Sequence, residues 1–232
     1  APVEIALPKY FSRDAMAALT AVSDECMAQT DCASLFGDIV QKTERVLQRL
    51  IELQTKGESL VVNYEHPRHQ QPDTLHLTPR TFSSLVFMSL YSRDLTVLLP
   101  RAISSAEKED YRLLAALASL SGEQTQQMNI AEGMRYSVMC NEDWPLLSAD
   151  DVAHSTPFLG LHFVQDVQPI CAFWPKAELP QDYWQPIVSD VPALLLSGKH
   201  DPVTPERWAQ SVAAHLSHAT LLSAAGGNHS IS

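Results

Sequence analysis

The stretch Val191–Ser232, VPALLLSGKHDPVTPERWAQSVAAHLSHATLLSAAGGNHSIS, constrains the fold more than any other part of the chain. Ala193 to Leu196 is a short apolar run, as expected of a strand buried on both faces. Ser197-Gly198 ends it, and Asp201-Pro202 follows on the loop at its carboxyl end, where open α/β sheets place their chemistry. Thr204 suits an N-cap and Pro205 the first helical position. Trp208, Val212 and Leu216 recur at helical spacing, which predicts a helix over Pro205 to Leu216. Ala219 to Leu222 is a second strand, Gly226-Gly227 a turn, and His229 stands just beyond it. A carboxylate and an imidazole, each on a loop after a neighbouring strand, can meet.

This pattern resembles the last βαβ unit of an α/β-hydrolase. The resemblance implies Asp201 as the acid and His229 as the base of a catalytic triad, in the chain order serine, acid, histidine. The two are 229 − 201 = 28 residues apart, room for one helix and one strand. The sequence contains no G-x-S-x-G elbow and no Gly-rich oxyanion-loop motif. The expectation is therefore the second half of a hydrolase, a partial α/β-hydrolase fold carrying two thirds of a triad, with both ends cut and the serine upstream of Ala1.

At 232 residues the chain can bury a sizeable core, as one domain or a domain with a lid. No apolar run is long enough to span a membrane, and the opening APVEIALPKYF does not read as a signal peptide. A formal charge of −11 would repel phosphate backbones and argues against a nucleic-acid partner. Four cysteines permit three pairings. None has C-x-x-C spacing, which disfavours zinc or thioredoxin chemistry. Two disulfides, Cys26–Cys32 and Cys140–Cys171, are taken here, which would imply a secreted or periplasmic protein; four buried free thiols are the alternative.

Along the chain, residues 1–11 read as an extended connector with two prolines. Ser12 can cap a helix whose face carries Ala15, Leu19, Val22 and Cys26. A second helix from Asp31 or Ser34 to about Gln54 carries Leu35, Phe36, Ile39, Val40, Val46, Leu47, Leu50 and Ile51. Leu60 to Tyr64 and Thr74 to Leu77 are strand candidates around the polar loop EHPRHQQPD. A metal reading of Glu65, His66, His69 and His76 is disfavoured by Pro67 and by the want of a rigid helix; a solvated loop is preferred. Thr78-Pro79 starts another helix, and Pro100 divides the following run into short ones, the last lined by Leu113, Leu114, Leu117 and Leu120. Ser121 to Gln127 reads as a boundary. Arg135 to Cys140 alternates enough for a strand, Asp150 to Phe163 for a helix broken at Pro157, and Cys171 to Pro192 for an ordered loop.

Helices placed ahead of a final βαβ unit are what a helical lid on an α/β-hydrolase looks like. The paired helices with CMAQTDC, the run YSRDLTVLLPRAI, the segments VMCNEDWP and ICAFWP, and LLLSGKHDPVTP through GGNHS occur in the order found in secreted tripeptidyl/prolyl aminopeptidase-like (TAP-like) hydrolases, which this chain resembles over nearly its whole length. That likeness implies a connector over 1–11, a helical cap over 12–130, a cap-to-core segment over 131–190 and the carboxy-terminal core over 191–232. It also explains the missing elbow, since a segment like APVEIAL follows the strand after the nucleophile in such proteins.

A serine hydroxyl is a poor nucleophile until an imidazole takes its proton, and the imidazole needs an acceptor on its other nitrogen. His229 and Asp201 fit those roles; otherwise they are a loop histidine and a turn aspartate before proline. Glu142 and Asp143 are candidates for holding a substrate ammonium, against a solvated acidic turn; Glu132 is a weaker substitute. Trp144 and Trp174 either line an apolar pocket or simply pack. The expected function is a serine exopeptidase acting on peptides with a free N-terminus through an acyl-enzyme, completed by the missing N-terminal half, with no cofactor and no metal. Esterases, lipases and epoxide or haloalkane hydrolases share the Asp and His positions and form one alternative. A non-catalytic binding module that lost the nucleophile half is another.

Overall fold

A computed structural model describes residues 2–128 and 130–229. Ala1 and Ser230–Ser232, the outer ends of the first and last sequence-derived segments, lie outside them. In chain order the elements are α1 (Phe11–Met27), α2 (Thr30–Phe36), α3 (Ile39–Thr55), β1 (Leu60–Glu65), β2 (Pro72–Leu77), α4 (Pro79–Ser89), α5 (Arg93–Thr96), α6 (Leu99–Glu107) and α7 (Arg112–Met128). There follow α8 (Glu132–Val138), α9 (Ala149–Ala153), α10 (Phe163–Phe173), β3 (Ala193–Gly198), α11 (Glu206–Ala213) and β4 (Ala219–Ala224). The chain divides into two compact units, one of Ala17–Asn129 with Leu159–Leu161, the other of Ala1–Met16, Ile130–Phe158 and His162–Ser232.

The first of these is helical with one hairpin. Ala18, Leu19, Val22 and Cys26 bury one face of α1. The Cys26–Cys32 disulfide, with Cα atoms 5.1 Å apart, ties α1 to α2. The single helix expected from Asp31 to Gln54 is two, because Gly37 adopts φ 63°, a left-handed geometry open to glycine. Asp38 then caps α3 by accepting from the Gln41 amide. The apolar stripe is also narrower than expected: Ile39, Thr43, Val46 and Leu50 of α3 are buried, whereas Leu35 of α2 and Ile51 of α3 face solvent. α3 packs on α6, and α4 and α6 pack on α7 around Phe82, Val86, Leu99, Ile103, Leu114 and Leu117. β1 and β2 pair antiparallel from Leu60↔Leu77 to Glu65↔Pro72 and lie on α7. The Thr78-Pro79 start is present, Thr78 accepting from the Thr81 amide. Ser121 to Gln127, read as a boundary from the sequence, is helical and forms part of the end of α7.

In the other unit residues 2–10 are not extended. A 3-10 turn at Val3–Ile5 is followed by Ala6 at φ 42°, and Pro2, Ile5, Ala6 and Pro8 are buried. The strand expected at Arg135 to Cys140 is helical: α8 runs into a π turn at Met139–Asp143. The buried pair is Met139 and Cys140 with Tyr136 packed beside them, a three-and-four spacing that only a helix puts on one face. The Cys140–Cys171 disulfide joins this turn to α10, with Cα atoms 5.0 Å apart. Trp144 and Trp174 pack against that cluster. The helix expected over Asp150 to Phe163 is the short α9, started by a capping box between Ser148 and Asp151, with α10 beginning only at Phe163.

β3 and β4 pair in parallel from Ala193↔Ala219 to Gly198↔Ala224, with α11 crossing over both. Leu194, Leu196 and Leu222 are 60%, 55% and 54% exposed, so β3 is covered on one face only, not on both as its apolar run suggested. α11 is pinned by Trp208, whose Nε1 donates to the buried Asp14 carboxylate at 2.9 Å. Arg207 and Arg13 also reach that carboxylate, and the Arg13 guanidinium lies 4.1 Å from the Tyr10 ring centroid.

Candidate active site

The turn after β3 is built around one side chain. Asp201, 4% exposed, accepts on Oδ1 from the amides of Val203 (2.9 Å) and Thr204 (2.8 Å), closing the turn that leads into α11. The Thr204 hydroxyl donates to Oδ2 at 2.6 Å. Thr204 is not the helix cap expected of it: α11 begins at Glu206, with Pro205 at the N-cap position and no side-chain cap.

His229 arrives from the far end of β4. Its Nδ1 lies 2.9 Å from Asp201 Oδ2 and 3.3 Å from the Thr204 hydroxyl. Two glycines permit this approach. A Cβ on Gly198 would sit 2.2 Å from the Asn228 carbonyl oxygen and 2.5 Å from that of Gly227. One on Gly227 would meet the Ala224 Cβ at 2.8 Å. With both side chains absent, the His200 amide bonds the Gly227 carbonyl at 2.9 Å and the Lys199 amide the Ala224 carbonyl at 3.2 Å, lacing the two loops together.

Burial pushes the Asp201 carboxyl up, but hydrogen bonds from His229, the Thr204 hydroxyl and the two amides outweigh it and hold the group below its ordinary value. An ionised Asp201 fixes the imidazole tautomer: Nδ1 carries the proton, and Nε2 is the basic nitrogen. The His229 side chain is 40% exposed while that of Asp201 is 5% exposed, an arrangement suited to a base reached from outside and oriented from within.

Glu142 and Asp143 lie in the π turn after α8. Burial raises the Asp143 carboxyl to about 6, against the lowering effect of the Leu7 amide that donates to it at 3.0 Å and with the help of the neighbouring Glu142 charge. Glu142 is held by Trp184, whose Nε1 donates to its carbonyl at 2.7 Å, and hydrogen-bonds Tyr183, whose hydroxyl is raised by that contact. Tyr183 and Trp184 were not picked out from the sequence; nothing local marks an aromatic pair 41 residues away as the neighbours of an acidic turn. Glu132 instead pairs with Arg135 one turn along α8, at 2.6 Å.

Among the described residues no group of three or more His, Cys, Asp and Glu is placed to hold a metal ion. In the hairpin loop, His66 stacks on His69 with centroids 4.6 Å apart and accepts through Nδ1 from the Arg68 and His69 amides, a turn-closing role. Also among the described residues, no helix is long and apolar enough to cross a membrane.

Two parallel strands joined by a crossover helix, with an acid after the first and a histidine after the second in hydrogen-bonding contact, make an arrangement compatible with the carboxy-terminal part of an α/β-hydrolase. Residues 156–232, about a third of the chain, match the family described as TAP-like protein, so this portion is similar to that family. No curated protein and no solved structure matches the chain.

Proposed function

We propose that the chain is the cap and carboxy-terminal part of a secreted or periplasmic serine exopeptidase that releases residues from peptide N-termini. The observation that carries this reading is the 2.9 Å contact between Asp201 Oδ2 and His229 Nδ1 in the TAP-like segment. His229 Nε2 takes the proton from a serine hydroxyl supplied by a segment outside this sequence, and Asp201 stabilises the imidazolium that forms. The serine attacks the scissile carbonyl, the leaving amine receives the proton from His229, and water activated by the same base releases the acyl group. Glu142 and Asp143 hold the ammonium of the substrate's first residue by charge-assisted hydrogen bonds. Two disulfides support an oxidising compartment.

In this reading the 232-residue chain alone does not react with a fluorophosphonate probe, and labelling of it would refute the absent nucleophile. The product of the complete coding sequence is assayed on aminoacyl-nitroanilides and on nitrophenyl esters. Peptide-type turnover lost in Asp201→Asn and His229→Ala supports the proposal. Ester turnover with no amide activity would overturn the exopeptidase assignment while leaving a hydrolase.

A further inference from the structure

We infer that Thr204 is a positioning residue of the candidate acid–base pair, its hydroxyl sharing Asp201 Oδ2 with His229 and fixing which carboxylate oxygen the imidazole meets. The functional meaning of this inference rests on the hydrolase reading above; the geometry does not. Asp201 accepts four hydrogen bonds, and the two backbone ones both go to Oδ1. They hold that oxygen into the turn but leave the carboxylate to rock about it. The Thr204 hydroxyl closes on Oδ2 at 2.6 Å, the shortest of the four. It comes from the same residue whose amide already grips Oδ1, so one side chain and its own backbone clasp both oxygens. Having no other partner as near as Oδ2, the hydroxyl donates there, and its 3.3 Å approach to His229 Nδ1 places it beside the imidazole edge as a steric stop.

Two consequences separate this role from simple packing. A hydroxyl donating to the carboxylate favours its ionised form, so removing it raises Asp201 even if the fold is untouched. A serine keeps the hydroxyl and loses only the methyl, so it preserves the effect. Among the described residues His229 is a titratable side chain hydrogen-bonded to Asp201, the buried His200 is its neighbour in the chain, and Glu206 on α11 is engaged with Ser223 and Gln210.

The test is a pH titration of the Asp201 carboxyl by carbon-13 NMR in the 232-residue chain and in Thr204→Val and Thr204→Ser. Thr204→Val is expected to raise the midpoint by about half a pH unit or more, a threefold change in proton affinity, with Thr204→Ser matching the parent. A Thr204→Val midpoint equal to the parent's, or a Thr204→Ser midpoint shifted like that of Thr204→Val, would overturn the inference. Neither result depends on peptide turnover, so failure of the exopeptidase reading is seen separately. Should Thr204→Val not fold, the Thr204 hydroxyl proton of the parent chain decides. Slow exchange with water and a cross-peak to Asp201 support the role, and a hydroxyl exchanging as fast as that of an exposed threonine refutes it.

Discussion

Gly198→Ala tests the local design of the site most sharply. The added methyl would lie 2.2 Å from the Asn228 carbonyl oxygen and 2.5 Å from that of Gly227, well inside the 3.0 Å that real Cβ atoms respect. Both obstacles are backbone, so neither can turn away as a side chain would. The loop carrying Asn228 and His229 must retreat by about 1 Å, enough to stretch the 2.9 Å contact between His229 and Asp201 beyond useful hydrogen-bond length. Overpacking of this kind costs about 1–3 kcal/mol, and the upper end is expected here. Part of that loss is pH-dependent. Asp201 is held below its ordinary value in the folded chain, so it contributes stability above its unfolded value that is lost as pH falls through the folded one. With the His229 bond gone the Asp201 midpoint rises, and the deficit of the variant is largest near neutral pH and narrows under strong acid. Urea denaturation at several pH values, with the carboxyl titration of Asp201, measures both parts. Gly133→Ala, at a helical position where a Cβ meets nothing within 4 Å, is the control and should stabilise by about 0.5–1 kcal/mol. A Gly198→Ala chain within about 0.5 kcal/mol of the parent, with Asp201 titrating unchanged, would show that the glycine does not position His229.

Asp143→Asn removes a carboxyl that burial raises to about 6. Because the folded value is raised, its stability contribution is present below pH 4 and lost as pH rises through about 6, so the variant should gain about 1 kcal/mol over the parent at pH 8 and nothing at pH 4, allowing for partial exposure; equal melting temperatures at pH 8 would count against a desolvated carboxyl. Asp14→Ala leaves Trp208 Nε1 and two guanidinium groups without their shared acceptor and should cost about 3–5 kcal/mol in thermal denaturation, whereas a loss under 1 kcal/mol would make the cluster incidental. Replacing Cys140 and Cys171 together by alanine opens a loop with a separation of 31 residues and should cost about 3–4 kcal/mol, against about 2 for the six-residue Cys26–Cys32 loop; the reverse order would refute a loop-entropy origin.

What could be read without coordinates follows from how local each signal is. The β3–α11–β4 unit was legible because glycine and proline punctuate it and because acid and histidine fall at fixed offsets from two apolar runs. The Thr78-Pro79 start and the β1–β2 hairpin were legible for the same reason. Segments of six residues were not: over Arg135 to Cys140 alternation and helical spacing make nearly the same pattern, and the decision falls to Cys140, which must reach Cys171 across the chain. Nor can an apolar run tell one covered face from two, so Leu194 and Leu196 read as buried although only the α11 side of the strand is covered.

The contacts that finish the candidate site were the least visible of all, and the reason is physical. Asp14 and Trp208 lie 194 residues apart, and neither has a neighbour that announces the other. Thr204 carried a cap signal because threonine before proline usually serves the helix behind it. Here the hydroxyl points to the carboxylate three residues earlier and donates its proton to the charged Oδ2 at 2.6 Å, while its oxygen accepts no capping bond from α11. A helix can begin without a side-chain cap at modest cost, as α11 does. A buried carboxylate stays ionised only through its donors, and the placement of Thr204 serves that need, as one of the four hydrogen bonds to Asp201, rather than the start of α11.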